Sequence, residues 1–177
     1  MIGRYLSKLG ALLNSNGQVQ TAGIADAGIT QAKLASNIVG NGPAFSAYAT
    51  AAQTIGAGVQ AKVVLNAEEF DTNNNFDSTT TYRFTPTVAG YYMFNGAFFS
   101  NLSGSRINLT LFKNNNEFKR LVDSNLASSV YQMSGSAVIY LNGSTDYVEL
   151  FVYTSTGLTS LGGGSLTYLN GALIRAA

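Results

Sequence analysis

From residue 44 onward, short runs of β-branched and aromatic residues alternate with clusters of Asn, Gly and Ser. Runs at 44–48, 59–65, 82–85, 90–99, 107–112, 117–122, 130–140, 147–153 and 166–174 have the composition of strands. The clusters between them, at 73–75, 87–90, 103–104, 114–116, 142–143 and 162–164, supply the residues that tight turns require. Many short strands at this spacing predict an antiparallel sandwich or barrel over residues 42–177. In the run at 146–154 the alternation separates two rows. Val148, Leu150 and Val152 make a core row, while Tyr147, Phe151 and Tyr153 flank Glu149 on the opposite face. Scattered exposed aromatics are ordinary, but three on one face form a patch of the kind that marks an interface. Tyr147, Glu149, Phe151 and Tyr153 are therefore expected to lie between subunits.

The first 41 residues follow a different pattern and are expected to form an arm. Ile2, Tyr5, Leu6, Leu9, Leu12 and Leu13 recur at steps of three and four, one face of a short helix that ends at the turn-rich 14–17. A helix of that length is marginal alone, so its stripe needs a partner surface. Sister helices and another protein are the competing partners; a membrane surface is the weaker third, with Arg4 and Lys8 its basic residues. Residues 21–35 then repeat every five, with Ala22, Ala27 and Ala32 at the second position and Ile24, Ile29 and Leu34 at the fourth. That period fits neither helix nor strand, so these groups order against neighbours, as in three copies wound about an axis, or else form an Ala/Gly linker. The expected attachment device is Ile2, Leu6, Leu9, Leu13, Ile24, Ile29 and Leu34.

Composition narrows the function. Charged residues are 11% of the 177, with a net charge of +1, against about 25% in a typical soluble domain. So sparsely charged a surface favours association, and it offers no basic footprint for nucleic acid. The chain has no His and no Cys, which removes the commonest general base, the thiolate nucleophile and the usual zinc ligands. No catalytic residue, cofactor or metal is expected. No apolar run is long enough to span a bilayer as a helix, and Lys8 interrupts any leader-like apolar stretch. Asp71, Asn73 and Asn75 alternate like the start of a calcium loop, but Phe76 and Tyr82 occupy the positions where Gly and Glu belong, so a hairpin tip is expected. Glu68 and Glu69 are adjacent and do not form a facing carboxylate pair. Gly162, Gly163 and Gly164 lack the Lys and helix of a phosphate loop.

Specific residues carry a resemblance. Pro43-Ala-Phe-Ser-Ala47, Val64-Leu-Asn66, Asn75-Phe-Asp77, Tyr82-Arg-Phe-Thr-Pro86 and Ala89-Gly-Tyr-Tyr-Met-Phe94 resemble the globular heads of complement component one, subcomponent q, which share the tumour-necrosis-factor-like jelly roll. Leu109 to Asn115, Ser134 to Val138 before a strand, and Leu166 to Ile174 with Gly171 agree with it, over about three quarters of the chain. The segment from Phe84 to Phe94 is the most specific part. The sequence departs from the family at 142–146 and at Leu169-Asn-Gly171, so no family ligand or calcium site is carried over. The resemblance implies an all-β jelly roll of about ten antiparallel strands and a homotrimer. The arm, Leu6 to Gln18 and Gly28 to Ala35, resembles the opening of bacteriophage fibre and virion-surface proteins. It implies a structural virion protein made in the host cytoplasm and placed on the virion surface, as a capsid-decorating cement protein or head fibre bound to the major capsid protein. The alternative is a tail-fibre component that recognises a host-surface glycan or protein, and a distant third is a polysaccharide-degrading enzyme.

Overall fold

The computed structural model describes residues 18, 29, 33, 40–100, 104–125 and 131–177, with Tyr131 described by its backbone alone. The chain divides into two compact units, Met1–Ala35 and Ser36–Ala177. Of the expected attachment residues, Ile29 is described, and it stands exposed; Ile2, Leu6, Leu9, Leu13, Ile24 and Leu34 lie outside the described residues, as does the expected helix.

The second unit is built of strands. In order they are β1 Ala44–Tyr48, β2 Thr54–Ile55, β3 Val59–Lys62, β4 Ala67–Asp71, β5 Phe76–Asp77, β6 Arg83–Phe84, β7 Gly90–Ser100, β8 Arg106–Lys113, β9 Asn116–Asn125, β10 Tyr131–Leu141, β11 Val148–Thr154, β12 Leu158–Thr159 and β13 Tyr168–Ala176. Each of the nine sequence runs contains a strand. The additional strands are three two-residue pieces and β4, whose Glu68 and Glu69 hide its strand character.

The strands form two main sheets, ordered β10-β7-β13-β1-β4 and β5-β6-β11-β8-β9, with β3 also paired to β11. All ladders are antiparallel. Alternation along the strands sends one row inward: Tyr92, Phe94 and Phe98 from β7 meet Leu109 and Leu111 of β8 and Leu150 and Val152 of β11 in one core. An aromatic stack fills one end. Phe45 lies parallel to Phe84 at 4.5 Å and to Phe76 at 5.1 Å, with Phe94 edge-on to Phe84 at 5.8 Å. Offset and edge-on pairs of this kind add about 0.5–1.5 kcal/mol each beyond the area they bury. Gly171 makes the stack possible, because a Cβ there would come within 2.9 Å of Phe94 Cδ1 and 3.0 Å of Phe45 Cε1.

The turns follow the clusters seen in sequence. Asn114 and Asn115 both have positive φ between β8 and β9, the backbone a two-residue hairpin needs. Asp71 closes the 71–76 turn by accepting from the Asn73 and Phe76 amides; the expected hairpin is corrected, because β4 and β5 belong to different sheets and the turn crosses between them.

Candidate assembly faces of the sandwich

Each sheet turns one face to the core and one outward, and the two outward faces differ. On the sheet containing β11, the row Tyr147, Glu149, Phe151 and Tyr153 does point away from the core, but partners from other strands cover it. Phe151 stacks on Phe112 of β8 at 4.0 Å. The Arg83 guanidinium lies 4.2 Å from the Tyr147 ring centre. Glu149 is 2% exposed and paired with Lys62 of β3, and its Oε2 is the one buried side-chain polar atom without a partner among the described residues. Phe151, Tyr147 and Tyr153 are half-buried. The expected row is there on the outward face, and Phe112, Arg83 and Lys62 cover much of it within the chain.

The outward face of the β10-β7-β13-β1-β4 sheet is barer. Phe70, Tyr91, Val138, Tyr140 and Ile174 are five of the nine large hydrophobic side chains that stand exposed among the described residues. Tyr91 and Tyr140 are cross-strand partners in β7 and β10, with ring centres 5.5 Å apart, and remain 44% and 42% exposed. A hollow of about 500 Å³ adjoins them, lined by Tyr91, Val138, Ile174 and the 175–177 segment. A second, of about 290 Å³, lies between Phe70, Met93 and Ala172. The charged residues lining these hollows are Arg175 and Glu69, one in each.

Charge is concentrated elsewhere. Arg106 of β8 bonds Asp123 of β9 through two nitrogens, and Arg120 bridges Asp123 and Glu117. The Arg106 guanidinium, opposed by partial burial and assisted by Arg120, draws the Asp123 carboxyl down to about 2. Asp77 accepts five bonds from Thr79, Thr80 and Thr81. These bonds, the Thr81 hydroxyl first and the Thr79 and Thr80 amides next, hold its carboxyl well below the ordinary range. In the loop where the sequence departs from the family, Asp146 is pushed up by burial. Bonds from Asn114, Lys113 and the Asn142 amide outweigh this, and the net shift is downward. Asn142 Oδ1 meanwhile accepts from the amides of residues 144–146. Both carboxylates hold loops together, and no group of three His, Cys, Asp or Glu side chains converges on a metal-sized site among the described residues.

Two antiparallel sheets in this strand order define a tumour-necrosis-factor-like jelly roll. A family model for the C1q domain matches residues 44–174, and the chain belongs to that family. Among solved structures it is similar to the globular domain of a zebrafish complement 1qA protein, at 24% identity over 76% of this chain and 99% of that one, with a TM-score of 0.56. It is also similar to the Eiger TNF of S. frugiperda, at 12% identity over 76% and 95% with a TM-score of 0.57, and to murine APRIL, at 9% over 75% and 98% with a TM-score of 0.57. At these identities the likeness speaks to fold. No curated protein matches.

Proposed function

We propose that this chain is a non-enzymatic structural protein of a bacteriophage virion. Its head assembles as a homotrimer, and residues 1–41 attach it to the particle as a capsid-decorating or head-fibre protein. The observation that carries the assembly is the outward face of the β10-β7-β13-β1-β4 sheet, where Tyr91, Val138, Tyr140 and Ile174 stand exposed around a hollow in which Arg175 is the lining charge. Exposed apolar area of this kind marks an interaction surface, and a chain with 11% charged residues has little else to keep separate copies soluble. Three copies are what the C1q and tumour-necrosis-factor resemblance implies, and a ring closed by rotation buries the same patch in every subunit.

The virion reading rests on the arm, whose Ala-Lys-Leu-Ala segment at 32–35 and leading amphipathic stripe resemble phage surface proteins. Three arms held by one trimer would bind together, so that modest single contacts give a firm clamp. The sparsity of Lys and Arg argues against nucleic acid as partner, and the absence of His and Cys supports a binding role over catalysis. Deleting residues 1–41 tests this division of labour. The expected result is a folded trimeric head that no longer joins particles, and a reconstruction of the intact particle should place the density on the capsid. Density confined to the tail, with adhesion of the isolated head to host-surface glycan, would establish the receptor-binding alternative.

A further inference from the structure

The outward residues of the β10-β7-β13-β1-β4 sheet fall into rows that cross the strands in register. Val138, Met93, Ala172 and Ala44 form an apolar row. The next row along the strands is Ser136, Asn95, Asn170 and Ser46. Two carboxamides therefore stand side by side in the middle of a face whose adjoining row is apolar. Ser46 is engaged within the chain, donating to Glu69 at 2.8 Å. The Asn95 and Asn170 side chains have no hydrogen-bond partner among the described residues. Both line the 290 Å³ hollow beside Phe70 and a polar one of about 370 Å³ beside Ser134 and Tyr168, so the pair stands where the two adjoin. The glycine that follows each Asn is accounted for by the core: Gly96 makes room for Leu121 and Leu150, and Gly171 for Phe94 and Phe45. Asn95 stands exposed and Asn170 half-buried, and among the described residues neither side chain is bonded.

We propose that Asn95 and Asn170 meet their symmetry copies near the assembly axis in a hydrogen-bonded layer that selects one register of the assembly; this rests on the assembly face identified above. An amide buried without a partner is destabilising, so an interface over this face is stable in the registers that satisfy both amides and unstable in those that do not. A carboxamide carries both donors and an acceptor, which lets identical side chains bond one another around a rotation axis, where like meets like. A charged side chain in that place would repel its own copies. Apolar rows can slide past one another with little change in contact, whereas a single polar layer fixes register, as a buried Asn does in coiled coils.

The test uses the full chain with Asn95→Asp and Asn170→Asp, changes that keep the shape and add charge. Sedimentation across a protein dilution series at pH 7.5 should show the assembly midpoint moved to at least about tenfold higher concentration, because facing like charges repel. Assembly should return as the pH is lowered through the ordinary carboxylate value of about 4. Circular dichroism checks that the head remains folded in the dissociated state. The paired change to Leu at both positions should keep the chain associated and replace the single oligomer by several species in native mass spectrometry. Aspartate variants that assemble with the wild-type midpoint, or a Leu pair that gives one unchanged trimer, overturn the layer. So does normal assembly combined with lost binding to host-surface polysaccharide, which would make the row a glycan site. A wild-type chain that sediments as a monomer at every concentration removes the assembly reading itself, a different failure.

Discussion

Leu121 of β9 rests directly on the backbone of Gly135 in β10: a Cβ at residue 135 would stand 2.9 Å from Leu121 Cβ and 3.0 Å from its carbonyl oxygen. The two residues belong to different sheets, so this contact draws the β9 and β10 margins of the sandwich together. Gly96, the cross-strand partner of Gly135, opens the same space from β7, where a Cβ would meet Leu121 Cδ1 at 3.1 Å.

Gly135→Ala is therefore expected to force β9 away from β10, at a cost of about 1–3 kcal/mol typical of overpacking. Thermal unfolding should show a fall in Tm of several degrees. Shortening Leu121 to Ala in the same chain should recover none of that loss, because the Cβ and carbonyl oxygen that are struck remain in alanine, and the two changes should add. A double variant more stable than the sum would place the strain on the outer atoms of the Leu121 side chain.

Charge placed on the two outward faces should have separable effects. Tyr140→Asp is expected to dissociate the head with little change in the stability of the subunit, since Tyr140 is exposed within the chain. Phe151→Asp removes the stack on Phe112 and sets a second carboxylate beside buried Glu149. It should lower subunit stability by about 2–4 kcal/mol, as for a lost core contact, whatever the assembly state. Sedimentation combined with urea unfolding distinguishes the two. A dissociated but fully stable Phe151→Asp head would return the interface to β11.

The jelly roll was legible because its strands alternate and its turns carry Asn and Gly where positive φ is needed, as at Asn114, Asn115 and Gly143. The exposed apolar face of the β10-β7-β13-β1-β4 sheet was not. Tyr147, Phe151 and Tyr153 sit within seven residues of one strand, so their shared face shows in sequence, but the groups that cover them come from β3, β8 and the start of β6. Phe70, Tyr91, Val138, Tyr140 and Ile174 belong to four strands, and only the register brings them together. One signal was available: in residues 132–140, Val138 and Tyr140 fall in phase with Gln132, Ser134 and Ser136, and so outward, opposite Met133, Ile139 and the core.

Acid should reveal the two depressed carboxyls. Asp77 is held down by its threonine bonds and Asp123 is near 2 through Arg106, whereas both sit near 3.9 in the unfolded chain. Folded values below unfolded ones mean that the contribution is complete above about pH 5 and is lost as the pH falls from about 4 toward 2. Urea midpoints measured from pH 7 to pH 2 should be flat and then decline. Asp77→Ala should flatten part of the decline in any salt. The Asp123 part, being solvent-exposed, should shrink in about 1 M salt, where screening reaches a few ångströms. A midpoint that rises on acidification would contradict both assignments.

If residues 1–41 serve attachment alone, as proposed, Leu6→Asp with Leu9→Asp should reduce the number of copies bound per particle and leave the melting of the head unchanged. Counting copies on purified particles checks this. Normal occupancy would move the attachment role to the loops of the jelly roll.

The strand at the middle of the β10-β7-β13-β1-β4 sheet is the thirteenth in chain order, and it pairs on one side with β7 and on the other with the first strand, β1. During synthesis the sheet thus waits for its centre. Until residues 168–176 emerge, β7 and β1 each present an open edge, the surface that misfolded chains use to stick together. A chain stopped before that point lacks the strand that joins β7 to β1, so the sheet is left in two pieces. A head with a closed sheet has therefore been read through to β13.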